Sequence, residues 1–280
     1  AQHLAAGDLG AIVAERENYE HPPLTKLAYG AILLAQGPAA YAEPVEALKD
    51  DAMPRPPEAQ RIRELVTPLR GFSALAGAAT AGLVAVVNPL AGLVVALSSW
   101  HIKYTSQAML EALPCLFAAC SLLALGGSRR NGDARFWLAA LFLGLTAGGT
   151  YRYAAGGFAA IGWIIWRGWR DGPRRALLLA GAWGVVALLA FYAFDPALWL
   201  DPIGRLRESL LFNTSYSTAQ HVREAGFPWF QPLLWLLGAL PWNPGAVPLR
   251  IDGLFGLLAL LAAGAMLRQE GATRLAALWL

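Results

Sequence analysis

The sequence predicts an all-α protein, a polytopic transmembrane helical bundle, and three observations support this prediction. Apolar residues make up 56% of the 280 residues, charged residues only 15%, and the mean hydropathy is +0.43, whereas soluble domains carry about 25% charged residues. Apolar runs alternate along the chain with short charged loops. The 29 glycines and 11 tryptophans suit membrane helices, where glycine allows close helix contact and tryptophan lies at the interface. These observations exclude a water-soluble globule and a disordered chain.

Charge and cysteine content exclude two further classes of protein. The net charge is only +3, and the arginines lie in loops between apolar runs, where they set membrane topology. We therefore expect no nucleic-acid partner. Cys115 and Cys120 lie five residues apart in one apolar run and point to different helix faces, so they cannot form a disulfide with each other. We expect both to pack as small apolar groups.

Long apolar runs predict the helices. A spanning helix needs about 20 apolar residues, and several runs are shorter, which indicates that some helices are broken or are lengthened by flanking residues. A polar segment, 43–69, separates the first two runs, and two short apolar pieces, 88–100 and 228–240, are predicted to be re-entrant or interfacial. The runs are, roughly, 24–42, 70–87, 106–126, 136–150, 154–166, 176–194 and 246–267.

The distribution of arginine predicts the orientation of the bundle. Cytoplasmic loops are enriched in Lys and Arg, so we place the three arginine-bearing loops in the cytoplasm. The segment through Pro23, residues 88–105 and the long loop 195–248 then face outward. Residues 43–69 face inward by the same rule. The clusters are Arg129, Arg130 and Arg135; Arg167, Arg170, Arg174 and Arg175; and Arg268 and Arg274.

We expect residues 1–280 to form a single transmembrane domain of a multi-pass cell-membrane protein. Within it, residues 195–248 form an extracytoplasmic loop that carries interfacial helices. The chain begins without a start methionine or a signal peptide and ends inside an apolar run. We therefore expect it to lack the first helix and the C-terminal helices of a longer protein. Gly144 and Gly148 form a GxxxG pair, which favours packing between helices of one chain over dimerisation.

Titratable side chains gather in the segments predicted to face outward. A charge among apolar runs is costly unless it faces a cavity or a partner, as for Arg152, and Glu111 is predicted to lie about two turns into a helix that begins near Tyr104. Taken singly, each side chain is equally well read as an interfacial anchor. Together they predict a site for an anionic lipid head group, in which cations bind phosphate and a carboxylate acts as base. They are Glu20, His21, Lys26, Lys103, Glu111, Arg152 and His221.

A set of short motifs carries a family resemblance. They are 19–26 (YEHPPLTK), 70–77 (RGFSALAG), 101–111 (HIKYTSQAMLE), 151–153 (YRY) and 195–202 (DPALWLDP). In this order and spacing they resemble the polyprenyl-phosphate-dependent glycosyltransferases of GT-C fold. Within that group they are most similar to the protein O-mannosyltransferase family, and the lipid A aminoarabinose transferases are more distant. The resemblance covers nearly the whole chain.

The resemblance implies an activity and a set of roles. Such enzymes take a sugar, here a mannose-like hexose, from a polyprenyl-phosphate carrier on the extracytoplasmic face. They transfer it with inversion to a hydroxyl of a protein or lipid acceptor. Glu20 and His21 are the implied catalytic residues, and the principal acidic base of the family falls before residue 1. The implied substrate-binding residues are Lys26, Lys103, Glu111, Tyr151 and Arg152.

The mechanism expected from this resemblance is one in-line displacement at the anomeric carbon. Phosphate is a good leaving group, so no strong general acid is required, and Arg152 and Lys103 neutralise the departing lipid phosphate. Gln107 stands where many relatives have arginine, which puts a phosphate contact at that position in doubt and leaves Lys103, one turn earlier, to replace it. The sequence shows no metal-ligand set of specific spacing, and it leaves a divalent cation open as a cofactor.

Two other classes of function compete with the enzyme. A transporter or flippase for a lipid-linked or anionic solute would share the many helices, but it predicts charges spread through the bilayer depth and a route open to both faces. A non-catalytic scaffold would have no use for the clustered acid, imidazole and guanidinium groups. Most non-loop charges gather toward one face in this sequence, which favours catalysis there.

Overall fold

The computed structural model describes residues 7–14, 22–37 and 56–217, together with isolated residues between 220 and 264. Throughout these residues the regular secondary structure is helical, which confirms the all-α class. Turns of 3-10 helix lie at Trp169–Asp171 and Pro196–Leu198. The α-helices are α1 (Leu9–Ala14), α2 (Leu24–Ala35), α3 (Pro56–Val87), α4 (Pro89–Leu97), α5 (Ser99–Ser106), α6 (Ala112–Gly126), α7 (Ala134–Gly149), α8 (Tyr151–Ala154), α9 (Gly156–Gly168), α10 (Pro173–Phe194) and α11 (Pro202–Ser217).

The predicted runs 136–150 and 176–194 correspond closely to α7 and α10. The helix predicted for the start of the long loop is α11. The interfacial piece 228–240 and the last run, 246–267, lie outside the described residues except for isolated positions. The prediction of a single domain concerns the whole chain and is not tested by the part that is described.

The core lies where α6, α7, α9 and α10 pack together. Phe136, Trp163 and Trp183 fill its centre, and alanines of the same helices surround them. Two polar side chains of this core donate to backbone carbonyls of a neighbouring helix, whereas Trp163 Nε1 has no partner among the described residues. Trp183 Nε1 donates to the Phe136 carbonyl at 2.9 Å, and Ser121 Oγ donates to the Ala139 carbonyl at 2.8 Å. A buried donor therefore links α7 to each of its neighbours α10 and α6.

Helix α7 approaches α10 closely at Gly144. A Cβ atom at this position would overlap the Ala187 carbonyl and the Ala190 side chain. At Gly148 the space is wider, and Leu24 of α2 and Phe194 lie at ordinary contact distance. The GxxxG pair thus serves packing between helices of one chain, as the sequence predicted.

Helix α10 carries small side chains on its buried face and large apolar side chains on its exposed face. Alanines recur on the inner face at Ala176, Ala180 and Ala187, with Trp183 between them. The outer face exposes Leu177, Leu178, Val185, Leu188 and Leu189. A soluble protein buries its large apolar residues, whereas a membrane helix packs through small residues and presents large ones to lipid.

Two helices in the described part of the chain are long and apolar enough to cross a bilayer. They are the Ala59–Val87 part of α3 and Pro173–Phe194, which is α10. Only 22% and 28% of their most apolar windows are buried, whereas a core helix of a soluble protein is mostly buried. These features are consistent with a membrane protein.

Helix α3 differs from its prediction because it begins at Pro56, well before residue 70. Residues 58–64 are strong helix formers, so the charged segment continues the apolar helix. Pro68 interrupts the backbone ladder, and Thr67 Oγ1 donates to the Arg63 carbonyl at 2.6 Å in the same turn. The predicted polar loop 43–69 is therefore helical over its last part.

The chain reverses at Asn88. The Asn88 side chain accepts from the backbone N–H groups of Leu90 and Ala91, and Pro89 starts α4. Helices α4 and α5 then return along the second half of α3. Gly92 is tightly packed against Ala85, and His101 Nε2 lies 3.0 Å from the Gly77 carbonyl.

The position of this turn corrects the predicted placement of residues 88–105. The Tyr29 hydroxyl is hydrogen-bonded both to Ser73 Oγ of α3 and to the carbonyl of Met109, which precedes α6. Further along both helices, Thr80 of α3 contacts Cys115 of α6. Helices α3 and α6 therefore run in the same direction. At a rise of 1.5 Å per residue, Asn88 lies about 20 Å beyond Ser73. The Asn88 turn therefore lies toward the arginine loops, and residues 56–69 lie at the opposite end. The predicted outward placement of residues 88–105 failed because α3 and the returning helices α4 and α5 form a hairpin, whereas the prediction assumed a single crossing after residue 70.

Two of the three arginine loops meet at one end of the bundle. The Arg167 guanidinium donates to Asn131 Oδ1 and to the backbone carbonyl and hydroxyl of Ser128. Asp133 caps α7 and accepts from the N–H of Arg129, and these backbone hydrogen bonds lower the pKa of its carboxyl. We call this the arginine end. The third loop lies outside the described residues.

Candidate functional site

The opposite end of the bundle brings together segments that are distant in sequence. We define the site end as residues 22–26, 107–111, 148–154 and 194–209. The first turn of α2 joins its parts, because Leu24 lies against Gly148 and Thr25 Oγ1 donates to the Leu110 carbonyl at 3.2 Å. Pro22 and Thr25 are fully buried there.

Asp195 is the central acid of the site end. It follows the last residue of α10 and is only 1% exposed. Its carboxylate accepts from the Ala197 backbone N–H, but Oδ1 has no hydrogen-bond partner among the described residues. Burial raises the pKa of this carboxyl to about 7, although the Ala197 N–H and the positive charges of Lys26 and Arg205 oppose the rise. Near neutral pH Asp195 can therefore either hold or release a proton.

Hydrogen bonds from two directions fix the turn 192–199 that carries Asp195. Trp199 Nε1 donates to the Tyr192 carbonyl at 2.8 Å, and the Tyr192 hydroxyl donates to the Trp199 carbonyl at 3.3 Å. Arg205 Nη1 of α11 donates to the Ala197 and Val13 carbonyls, at 2.6 Å each. Arg205 thereby connects α1, the 3-10 turn and α11, and it brings a cation to Asp195.

Tyr151 lies beside Asp195 in the short helix α8. Its ring packs edge-on against Phe191 with centroids 5.9 Å apart, and its hydroxyl accepts from Ser209 Oγ at 3.4 Å. Desolvation raises the pKa of Tyr151 to about 12; the hydrogen bond from Ser209 opposes this rise, and the Asp195 carboxylate adds to it. The hydroxyl therefore stays protonated and is available as a hydrogen-bond donor.

A second group of side chains surrounds Tyr153. Desolvation raises the pKa of its phenol to about 12, with a contribution from the Glu111 carboxylate, while the Arg152 cation acts in the opposite direction. Tyr104 also faces it, and Lys103 lies 5.7 Å above the Tyr104 ring.

Glu111 does not lie inside a helix as predicted. Helix α5 ends at Ser106, Gln107 is extended, and Glu111 is the residue immediately before α6. Pro114 occupies the first turn of α6, where its missing N–H costs nothing, and it marks where the new helix starts.

The structure thus brings most of the predicted site residues to one end, in two groups. Lys26 and Tyr151 lie with Asp195; Lys103, Glu111 and Arg152 lie around Tyr104 and Tyr153. Glu20 and His21, the predicted catalytic residues, and His221 lie outside the described residues. Asp8 caps α1 by accepting from the Ala11 N–H at 2.8 Å.

Sequence reasoning did not single out Asp195 or Arg205 as site residues. The available signal for Asp195 was an acid at the end of a long apolar run and before proline. For Arg205 there was only an amphipathic stretch. Within the described ranges, no three His, Cys, Asp or Glu side chains gather in a way that could hold a metal ion. The chemistry available is a buried carboxylate between two cations and beside a protonated tyrosine.

No protein-family model, curated protein or solved structure matches this chain. The family resemblance stated above is a prediction from motifs, and the interpretation of the site rests on its geometry.

Proposed function

We propose that this chain is an integral-membrane glycosyltransferase with several spans. It moves a mannose-like hexose from a polyprenyl-phosphate carrier to a hydroxyl acceptor, with inversion, at the extracytoplasmic face. The observation that carries the proposal is the convergence of Lys26, Tyr151, Asp195 and Arg205, from four separate elements, at one end of an apolar helical bundle.

The charges of this group suit a phosphate leaving group. The carrier phosphodiester has one negative charge, and breaking its bond to the sugar creates a phosphate monoester with a second. Lys26 and Arg205 place two positive charges against one carboxylate, and Arg152 is exposed nearby. Fixed cations at the position where negative charge develops stabilise a transition state more than a ground state.

The surroundings of the group suit a lipid substrate. Asp195 follows directly on α10, whose outer face is a stripe of exposed leucine and valine. A polyisoprenoid tail is compatible with such a face, and its phosphate would then lie at the level where α10 ends. In this proposal Glu20 and His21 complete the acceptor side of the site.

A transfer assay tests the proposal. The full-length protein in proteoliposomes receives radiolabelled polyprenyl-phosphate hexoses together with peptide and lipid acceptors. Lys26→Gln and Arg152→Ala are compared with Arg170→Ala, a matched control because Arg170 is an exposed arginine of the opposite end. Loss of one charge-assisted contact, worth about 1.5–3 kcal/mol, should lower kcat/KM about 10- to 100-fold for the first two variants only.

Two outcomes would contradict the proposal. Equal losses in all three variants would show that the site end has no special role. No transfer from any carrier, together with movement of labelled lipid or anion across the bilayer, would favour a transporter or flippase.

A further inference from the structure

One oxygen of the buried Asp195 carboxylate, Oδ1, accepts no hydrogen bond from the described residues. Its other contacts are made within its own turn and with neighbouring cations, yet Oδ1 has no partner among the described residues although the side chain is 1% exposed. A buried polar atom without a partner destabilises the folded state. Such atoms are few in native proteins, so this one calls for an explanation.

A purely structural role would leave Oδ1 unexplained. The Asp195 carboxylate accepts from the Ala197 N–H of its own turn. The Trp199–Tyr192 pair and the Arg205 contacts hold that turn through backbone carbonyls, so these contacts leave Oδ1 unused. The charged and titratable groups that face Asp195 are Lys26 from α2, Tyr151 from α8 and Arg205 from α11. All three can donate hydrogen bonds, yet none of them donates to Oδ1, so this oxygen is left for a donor from a bound molecule.

We infer that Asp195 binds the acceptor hydroxyl through Oδ1 and receives its proton. This inference rests on the proposed function and deepens it, since it assigns to a carboxylate of this chain the base role that the resemblance placed before residue 1, with Glu20 and His21 completing the site. The geometry that carries it is a buried carboxylate with one oxygen open, flanked by two cations that can hold the leaving phosphate.

The step balances as follows. The acceptor oxygen forms a bond to the anomeric carbon while the bond from that carbon to the phosphate oxygen breaks. The electron pair of the broken bond leaves with the lipid phosphate, beside Lys26 and Arg205. The acceptor proton passes to Asp195 Oδ1 and is later released to water. No oxidant, reductant or further reactant is needed.

The pH dependence of transfer by the full-length protein tests this assignment. In the wild type, kcat/KM should rise with pH through a midpoint near 7, because the carboxylate must be ionised and burial raises its pKa to about 7. Asp195→Asn should lower kcat/KM at least about 100-fold and remove this limb. Lys26→Gln should move the midpoint upward, since it removes a charge that favours the ionised form.

Further variants separate this inference from its rivals. Asp195→Glu keeps a carboxylate, so it should retain part of the activity and a shifted limb even if Asp195→Asn does not fold. Glu20→Gln should keep the limb. If Asp195→Asn kept the wild-type rate and profile, or if Glu20→Gln alone removed the limb, the assignment would be overturned while the proposed function would stand. A wild type that transfers no sugar would overturn both.

Discussion

At the residue scale, Asp195 couples protonation to folding. Its carboxyl has a pKa of about 7 in the folded protein, against an ordinary value of 3.8. The folded state therefore holds a proton that the unfolded chain has already released between these values. The stability that this proton contributes is complete below about pH 4 and is lost as the pH rises through 7.

Asp195→Asn should make this part of the stability independent of pH. The two pKa values differ by about three pH units, which corresponds to a difference on the order of 4 kcal/mol between the acid and neutral plateaus. Thermal unfolding in detergent from pH 4 to pH 9 measures it, with Asp171→Asn, an exposed acid, as control. The wild type and the control should lose stability on going from pH 4 to pH 7 relative to Asp195→Asn. Parallel curves for all three proteins would contradict the assignment.

The sequence indicated candidate residues of the site end, but it did not indicate how they are arranged around Asp195. Lys26, Tyr151 and Arg152 belong to short motifs with charges next to apolar runs, and such local patterns can be read directly. The charged and titratable groups that face Asp195 are Lys26, Tyr151 and Arg205, which are 169, 44 and 10 residues away in sequence. Only the packing of the helices brings these residues together, so the role of Asp195 could not be predicted from the residues next to it in sequence.

At the element scale, the contact between α7 and α10 depends on one missing side chain. Gly144 lets the backbones approach until the Ala187 carbonyl and the Ala190 side chain occupy the space of a Cβ atom. Glycine in a helix costs about 0.5–1 kcal/mol relative to alanine. The close approach compensates for this cost through contacts along the whole interface.

Gly144→Ala should therefore destabilise the protein, by about 1–3 kcal/mol, because the backbones must separate. Gly181→Ala on α10 is the matched control, since a Cβ atom there meets open space and alanine is the better helix former. The midpoint of thermal unfolding in detergent should fall for the first variant and stay equal or rise slightly for the second. Equal behaviour of the two variants would show that α7 and α10 are not closely packed at Gly144.

Helix boundaries were predictable where proline and glycine mark them. Gly172 and Pro173 open α10, and Asp195 with Pro196 closes it, so run and helix agree. The break between α5 and α6 was missed because apolar composition continues through it, although Pro114 was a usable signal. The early start of α3 was missed because charge was taken as a sign of a loop, whereas helix propensity decides the structure of residues 56–69.

At the scale of the whole molecule, the described bundle has two chemically different ends. The arginine loops, in which Arg167 and Asp133 make hydrogen bonds, form one end, and the Asp195 group forms the other. Helices α6, α7, α9 and α10 connect them in alternating directions. If the bundle spans a bilayer, these ends must meet different aqueous compartments.

Cysteines introduced at the two ends should be labelled from opposite sides. In a background that carries Cys115→Ala and Cys120→Ala, Arg152→Cys and Arg170→Cys each place one thiol at an exposed position. A membrane-impermeant maleimide added to intact cells should modify only Arg152→Cys, and inside-out vesicles should show the reverse. Labelling of both from one side would contradict a transmembrane bundle with these ends.

If the bundle spans a bilayer as proposed, the lengths of α6 and α7 have a consequence for the surrounding lipid. They contain 15 and 16 residues, which at 1.5 Å per residue gives about 22–24 Å, less than the roughly 30 Å of a typical hydrocarbon layer. Around such helices a bilayer thins to match. The phosphate of a membrane-anchored lipid would then lie closer to the bilayer midplane beside this protein than elsewhere. Local thinning of the bilayer would bring that phosphate to the level of Asp195 without movement of the helices along the membrane normal.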